Sequence, residues 1–341
     1  MSATSGDSTR AFEAALADLR KDVRNVALPG LAAAYLGLAA LLVLPLLVPS
    51  PWVFALTWPL IGILQYRVVI SGHEAVHFTL CPGKALNEFL GVFGQAIVGV
   101  NFAAYRLQHL DHHRARDLAS DPDGHIYGGI INTPRGWRRT AVWIGGTFVE
   151  ILVKIRQKGT GGYGTHRAQK PDEVSRRRRH TAYVVLAQLT LMALCGLVLA
   201  GHRGVDLLAT SPLTAAGAWT WALHGVGGYA LLWTGPLFTV AVFLNRSRIL
   251  VEHGLAMILE RETNQEFRGV RIPTVDIVPN VVERVVFSPF LFNYHCCHHL
   301  FMTVPHYNLP RVRALCREYG IKGYYEVEGS YLSALARTMR V

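Results

Sequence analysis

Residues 25–66, NVALPGLAAAYLGLAALLVLPLLVPSPWVFALTWPLIGILQY, contain no charged side chain. A helix needs about 20 mostly apolar residues to cross the hydrocarbon layer of a membrane, which is about 30 Å thick. The stretch is therefore long enough for two membrane-spanning helices. Pro49 and Pro51 lie near its middle and predict the turn between them. We expect the first two spans at about residues 31–48 and 52–69.

A second apolar block has room for two more spans, which we expect at about residues 181–201 and 223–244. The chain of 341 residues is 51% hydrophobic and only 17% charged, with a mean hydropathy of +0.25. An ordinary soluble domain carries about 25% charged residues, so this composition excludes a soluble globule, a disordered chain and a fibrous repeat. The five cysteines are few and odd in number, which favours a reducing, cytosol-facing environment over a disulfide framework.

The basic residues indicate how the four spans are oriented. Four Lys and Arg residues precede the first span, fifteen lie between Arg106 and Arg179, and twelve follow from Arg246 onward. With four spans these regions fall on one side, which the positive-inside rule identifies as the cytoplasm. The sequence thus predicts an all-α membrane protein with four transmembrane helices in two hairpins. Residues 70–180 and 246–310 would form a cytosolic helical cap, and both termini would be cytoplasmic.

The two ends of the chain are polar and flank this membrane domain, which covers residues 29–310. Residues 1–28 carry apolar side chains at helical spacing, namely Phe12, Leu16, Leu19, Val23 and Val26. The pattern predicts an N-terminal amphipathic helix that either lies in the membrane interface or packs on the cytosolic body. Residues 311–341 are predicted to form a cytosolic C-terminal tail. No nucleic-acid-binding motif accompanies the net charge of +11, so no nucleic acid partner is predicted.

Eight of the fifteen histidines fall into three tight groups. H-x-x-x-H occurs at 73–77, and H-x-x-H-H occurs at both 109–113 and 295–299. Residues three and four apart share one face of a helix, so each group can direct two imidazoles at one point. Adjacent histidines diverge by about 100° on a helix, so one can serve one metal while its neighbour serves a second. The groups therefore predict a two-metal centre in the cap, and imidazole suits Fe, Zn, Cu and Ni alike.

A shared site requires all three groups to lie on one side of the membrane. The second group follows residues 89–105, an apolar run that contains Gly91, Gly94 and Gly99. If that run crossed the membrane, the group at 109–113 would lie on the opposite side from the other two. We therefore predict that the run does not cross, and that it lies along the interface or bends back.

These motifs together resemble those of the integral-membrane fatty acid desaturase and hydroxylase superfamily. The matching segments are HEAVH at 73–77, HLDHH at 109–113 with DPD at 121–123, and HCCHHLFMTVPHYNLP at 295–310. The resemblance covers about residues 30–310 in order and spacing. It implies a mushroom-shaped helical protein with a histidine-ligated diiron centre, and O2-dependent attack on an unactivated C–H bond.

The resemblance also implies which residues hold the two Fe ions. The implied metal ligands are His73, His77, His109, His112, His113, His253, His295, His298 and His299. His253, within RILVEHG at 248–254, matches a histidine that the family often has soon after its last span. Glu252 is either a bridging carboxylate or a salt-bridged residue that supports a ligand, and the second role is favoured. No catalytic side chain beyond the metal centre is predicted.

Other polar residues near the motifs have less specific roles. Four aspartates are candidates to orient imidazoles by accepting their second N–H: Asp111, Asp117, Asp121 and Asp123. The segment 121–124 can equally be a simple turn. Cys296 and Cys297 point away from the shared histidine face, so a structural role is predicted, and His306 is predicted to be a non-ligand. Five histidines remain unassigned: His125, His166, His180, His202 and His224.

Desaturation is the predicted reaction, because the third motif and the segment after it most resemble acyl-lipid desaturases. A lipid or carotenoid hydroxylase or ketolase of the same superfamily is the close alternative, since both reactions begin with the same hydrogen abstraction. Two remote alternatives come from other classes. One is a membrane zinc metalloprotease, because residues 73–77 match H-E-x-x-H with Glu74 as general base. The other is a metal transporter or sensor, although transport usually places polar ligands inside the spans.

The resemblance implies a membrane lipid or an acyl thioester as substrate, carried as acyl-lipid, acyl-CoA or acyl carrier protein. A basic rim, formed by Lys154, Arg156, Lys158 and Arg176–Arg179, can hold a phosphate or an acidic carrier, or simply anchor the cap to anionic lipid. The chain has no recognisable haem-binding or ferredoxin segment, so an external ferredoxin- or cytochrome-type electron donor is implied. Arg greatly outnumbers Lys, which favours a bacterial inner membrane.

Overall fold

A computed structural model describes residues 5–159, 171–263 and 272–340, which are mostly helical. The first half contains α1 (Ser5–Lys21), α2 (Ala27–Leu47), α3 (Trp52–Val76), α4 (Lys84–Ile97), α5 (Phe102–His112), α6 (Gly124–Ile131) and α7 (Trp137–Gly159). The second half contains α8 (Pro171–His202), α9 (Ala215–Tyr229), α10 (Val242–Ile249), α11 (Ala256–Thr263), α12 (Val281–Phe287), α13 (His295–Leu300), α14 (Leu309–Glu318) and α15 (Tyr331–Arg340). Two short strands, β1 (Asp276–Ile277) and β2 (Glu326–Val327), pair in parallel.

Within the described residues, four helices are long and apolar enough to cross a membrane. They are α2, α3, α8 and the continuous helical run Ala215–Thr263, which joins α9, α10 and α11 through three π-helical segments. Each overlaps one of the four predicted spans. Helix α3 and the run Ala215–Thr263 extend well beyond the predicted ends of their spans, at residues 69 and 244, because apolar composition ends with the bilayer whereas backbone hydrogen bonding continues. Helix α3 therefore contains both a predicted span and His73 of the first histidine motif.

The apolar helices pack in sequential pairs, with α2 along α3 and α8 along α9. The connection between α2 and α3 is short, whereas residues 203–214 join α8 to α9. Pro49 and Pro51 lie in the turn between α2 and α3, where the backbone N–H of Ser50 donates to the carbonyl of Val48. The turn is where the sequence predicted it.

The chain bends sharply between α4 and α5, which meet at an angle of 102°. Gly99 adopts a φ of +77° at the break, a conformation that glycine tolerates best. At the end of α4, Nε2 of Gln188 donates to the carbonyl oxygens of Ala96 and Ile97 at 2.7 and 3.0 Å, and Nε1 of Trp233 donates to that of Ile97 at 2.9 Å. Such internal partners are required where water is absent. The predicted bend in the run 89–105 is therefore present.

The amphipathic N-terminal helix α1 buries its apolar face against the rest of the protein. Phe12 and Leu16 join a buried cluster with Tyr294, Val312 and other residues around α13 and α14. Of the two predicted arrangements, this packing corresponds to a helix placed on the body of the protein, and interfacial contact stays a prediction. The predicted helical periodicity is wrong beyond Lys21, since the chain turns there toward α2 and leaves Val23 and Val26 outside α1.

Strand β1 supports the helix that carries the third histidine motif. Oδ1 of Asp276 accepts hydrogen bonds from the backbone N–H groups of Cys296 and Cys297, at 2.7 and 3.1 Å, in the first turn of α13. Its Oδ2 accepts from the Cys297 thiol at 3.0 Å. Burial raises the pKa of the Asp276 carboxyl to about 7, while these hydrogen bonds oppose the rise. Asp276 thus satisfies N–H groups that a helix cannot pair internally.

We predict that Asp276→Ala lowers the unfolding temperature of the detergent-solubilised protein, because two buried N–H groups lose their acceptor at a cost of about 1–3 kcal/mol. Asp276→Asn keeps an oxygen at Oδ1 and should cost less. Asp18→Ala, on the exposed side of α1, is the matched control. Equal unfolding temperatures for the alanine variants of Asp276 and Asp18 would contradict this role.

Candidate metal centre

Four separate parts of the chain bring the predicted histidines together. The end of α3 supplies the first motif, and α5 with the residue after it supplies the second. The π-helical segment Leu250–Leu255 supplies His253, and α13 supplies the third motif. All nine predicted histidines lie in two adjoining groups, and none of them is left outside.

The two groups are compact and almost fully buried. The first histidine group consists of His73, His77, His109, His113 and His298. The second histidine group consists of His112, His253, His295 and His299. Within each group the candidate ligand atoms all lie within 4.8 Å of one another. Each group is therefore a set of nitrogen donors that could hold one metal ion.

Adjacent histidines are divided between the groups, as helix geometry predicts. His113 belongs to the first group and His112 to the second, and the same division separates His298 from His299. The rings of His298 and His299 are inclined by 84° with centroids 6.0 Å apart. Because neighbouring side chains on a helix diverge by about 100°, one short helix can serve both groups.

The spacing of the facing nitrogens fits bound metal ions. In the first group, Nε2 of His109 lies 2.9 Å from Nε2 of His77 and 3.0 Å from Nε2 of His113. In the second group, Nε2 of His295 lies 2.9 Å from Nε2 of His253. Zinc binds imidazole nitrogen at about 2.0–2.1 Å, and two ligands at a right angle on such an ion are about 3 Å apart. The donor set therefore fits one ion of this size in each group.

Several ring nitrogens are also buried without a protein partner. Nε2 of His73 and Nε2 of His299 make no hydrogen bond to the described part of the chain. Burial and the neighbouring imidazoles lower the pKa of His295 and His298 well below the ordinary value, so both rings are neutral at pH 7. Neutral imidazole is the form that ligates metals.

Asp121 is the predicted aspartate that meets an imidazole. Its Oδ1 lies 2.7 Å from Nδ1 of His112, and the hydroxyl of Tyr127 donates to its Oδ2 at 2.6 Å. Oδ1 also accepts from the backbone N–H of Asp123, so the segment is a turn as well. The other three candidates have different neighbours: Asp123 accepts from Gln108, Asp117 accepts from Ser120, and Asp111 lies 3.8 Å from Arg114.

Glu74 holds a second imidazole, a role that the sequence did not suggest. Its Oε1 lies 3.2 Å from Nδ1 of His73. Its Oε2 accepts from the hydroxyl of Thr79 at 2.9 Å and lies 3.3 Å from Nδ1 of His306. With both oxygens engaged in this way, Glu74 orients His73 and links it to His306, which lies outside both groups. The sequence feature that could have indicated this role is the position of Glu74 directly after His73, a candidate ligand.

Glu252 and the two cysteines also lie outside the groups. Glu252 is paired with Arg248, and its Oε2 is 3.5 Å from Nδ1 of His295, which agrees with the favoured salt-bridged role. The thiol of Cys296 faces the carbonyl of Gly323, and the thiol of Cys297 faces Asp276. Neither cysteine side chain points toward the histidines.

The unassigned histidines have separate partners. His125 lies 3.3 Å from Glu150, His180 accepts from the N–H of Ala103, His202 donates to the carbonyl of Pro45 and His224 to that of Thr220. His166 lies outside the described residues, as do the side chains of Lys154, Arg156 and Lys158 from the basic rim. In the rest of the rim, Arg176, Arg178 and Arg179 are exposed at the start of α8, and Arg177 is half-buried.

Comparison with known proteins places these features in a family. A Delta(8)-fatty-acid desaturase of Helianthus annuus is 32% identical over 76 residues, which are 22% of this chain and 17% of that protein, and the same figures hold for one of Borago officinalis. A ceramide hydroxylase of Caulobacter vibrioides (strain NA1000 / CB15N) is 29% identical over 107 residues, 28% of each chain. The matched segments thus span less than a third of these relatives. The profile of the family Fatty acid desaturase matches residues 49–328, most of the sequence, so the chain belongs to the fatty acid desaturase family.

Proposed function

We propose that the protein is a diiron enzyme of the membrane that uses O2 to introduce a double bond into an acyl chain. The observation that carries the proposal is the pair of buried all-histidine groups in a chain of the fatty acid desaturase family. Desaturation removes two hydrogen atoms from the chain. Together with two electrons and two protons from an external donor, it reduces O2 to two water molecules.

The nine histidines would hold two irons, five of them on one ion and four on the other. Bound iron supplies the oxidising power that removal of hydrogen from a methylene group requires. The protein itself keeps the site dry, since eight of the nine rings are buried and His299 is half-buried. Asp121 and Glu74 face Nδ1 of their histidines, which leaves Nε2 free to bind metal and fixes the direction of the ring.

The same proposal includes the placement in the membrane. The pairs α2–α3 and α8–α9 would be two hairpins, with residues 70–180 and 246–310 as a cytosolic cap and both termini in the cytoplasm. The distribution of Lys and Arg supports this orientation. The domain limits 1–28, 29–310 and 311–341 and the location in a bacterial inner membrane belong to the proposal too.

The substrate would be a membrane lipid or an acyl thioester, and the electrons would come from a ferredoxin- or cytochrome-type protein. A lipid substrate would reach the site from the bilayer without crossing water, since His73 and His253 lie on helices that are continuous with apolar spans. The exposed arginines of the basic rim at the start of α8 suit a phosphate or an acidic carrier, and equally suit anionic lipid.

Lipid hydroxylation is the second candidate, supported by the similarity to a ceramide hydroxylase. The remote alternatives have less support. In a zinc protease Glu74 would be the general base, yet here Glu74 already contacts His73, Thr79 and His306. The three histidine motifs and the family match count against a metal transporter or sensor, because they belong to a family of oxidoreductases.

Metal analysis of the purified protein should give about two irons per chain, one for each histidine group. The measurement is elemental analysis after removal of loosely bound metal with a weak chelator. A single zinc per chain would contradict the diiron proposal and favour the protease.

Replacing His112 with Ala should abolish lipid oxidation while the protein remains inserted in the membrane, because the second histidine group loses a ring that Asp121 holds in place. Activity is measured on membranes supplied with lipid, O2 and a reducing donor system. His202→Ala is the control. It removes a ring that donates to the carbonyl of Pro45 and belongs to neither histidine group, so this variant should stay active. Full activity of the His112 variant would remove this residue from the site.

Mass spectrometry of the product distinguishes the two oxidations. We expect acyl chains that lack two hydrogen atoms relative to the substrate, as desaturation requires. Acyl chains that have instead gained one oxygen atom would replace the desaturase proposal with the hydroxylase, and the metal centre would remain unaffected by that outcome.

A further inference from the structure

The C-terminal helix α15 packs against the π-helical segment Leu250–Leu255, which carries His253, although α15 lies outside residues 49–328 matched by the family profile. Its first residue, Tyr331, has no exposed surface. The hydroxyl of Tyr331 donates to Oε1 of Glu252 at 2.8 Å. A residue from the region predicted to be a tail is therefore bonded to the segment that carries His253.

Glu252 connects this tyrosine to an imidazole of the second histidine group. Its other oxygen, Oε2, is paired with Arg248 and lies 3.5 Å from Nδ1 of His295. That distance is long for a hydrogen bond, but it places a buried carboxylate beside the ring edge that faces away from Nε2. Because Glu252 is fully buried, the donors on its two oxygens determine the orientation of the carboxylate.

Helix α15 is anchored firmly enough to act as a support. Nη1 of Arg139 donates to the carbonyl of Thr338 at 2.7 Å, and the N–H of Gly136 donates to the carbonyl of Met339 at 3.0 Å. At the other end, the ring of Tyr331 stacks on Phe287 with centroids 5.3 Å apart. Both ends of the helix are thus attached to the body of the protein.

The arrangement repeats one that occurs at two other histidines. Tyr127 donates to Asp121, which contacts Nδ1 of His112, and Thr79 donates to Glu74, which contacts Nδ1 of His73. In each case a hydroxyl holds one oxygen of a carboxylate whose other oxygen faces an imidazole. Tyr331, Glu252 and His295 form a third arrangement of this kind, in which Nδ1 of His295 lies 3.5 Å from Glu252 and makes no hydrogen bond in the described part of the chain.

We infer that Tyr331 is a positioning residue of the second histidine group: through Glu252 it fixes the ring of His295, so that Nε2 of His295 faces the other three histidines. Helix α15 then helps to position a histidine of the metal centre. The inference rests on the proposed function, because it assumes that His295 is a metal ligand. It assigns a role to a residue that lies 36 positions beyond the third motif's first histidine.

The test compares Tyr331→Phe with Tyr35→Phe in the full-length protein. The first variant removes the hydroxyl and keeps the ring on Phe287. The second removes a buried hydroxyl that has no hydrogen-bond partner in the described part of the chain. Loss of a group that orients a metal-binding histidine typically weakens metal binding by about 10–100-fold. We expect that loss for one of the two irons in Tyr331→Phe, measured by competition with a chelator, and no change in Tyr35→Phe.

Mössbauer spectra of the protein loaded with iron-57 separate positioning from general damage. We expect the signal of one iron to change in Tyr331→Phe while the signal of the other keeps its parameters. Leu332→Ala, at an exposed position of the same helix, should leave both signals and the unfolding temperature as in the unmodified protein.

The outcomes are distinguishable. If the unmodified protein binds no iron, the proposed function fails. If it binds two irons and Tyr331→Phe matches it in affinity and spectrum, the inference is overturned and the proposed function stands. If both iron signals of Tyr331→Phe change together and the unfolding temperature falls, the role of Tyr331 is merely structural, which also overturns the inference.

Discussion

The centre depends on keeping nine imidazoles close together with little water among them. Burial lowers the pKa of eight of the rings, while the neighbouring Asp121 raises the pKa of His112. Nitrogen lone pairs that face one another at about 3 Å repel unless a proton or a cation lies between them, and burial disfavours the proton. The fold must therefore hold the rings in place against this repulsion. Glu74 and Asp121 contribute by placing negative charge at the outer edges of two rings, and Glu252 places a buried carboxyl group beside a third. The closely packed helices around them also hold the rings in place.

Features that depend on neighbouring residues were readable from the sequence. Uncharged runs gave the four spans, and spacings of three and four residues gave the histidine faces, including the opposite directions of His112 and His113. Features that depend on distant residues were not. Asp276 caps a helix that begins 19 positions later, and no local pattern marks it. His253 follows two π-helical segments and lies within a third, and each of these shifts the face that later residues present, so its direction could not be counted from the span.

The N-terminal helix illustrates a related restriction. Its amphipathic pattern establishes that Phe12 and Leu16 share a face. Apolar side chains on such a face can pack equally well against lipid or against protein, so the pattern does not distinguish the two. The choice is made by Tyr294 and Val312, nearly three hundred residues away. The sequence does not distinguish desaturation from hydroxylation, for a comparable reason. Both begin at the same metal centre, and the outcome depends on how the acyl chain lies beside it, which the histidines do not encode.

Helix α3 runs unbroken from Trp52 to the first histidine motif, and this gives it a mechanical role. At a rise of 1.5 Å per residue, the 21 steps from Trp52 to His73 span about 32 Å, close to the thickness of the bilayer core. In the proposed orientation, the length of α3 sets the height of the histidine groups above the lipid tails. A thinner bilayer would force α3 to tilt, so the histidine groups would face a different carbon of the same acyl chain.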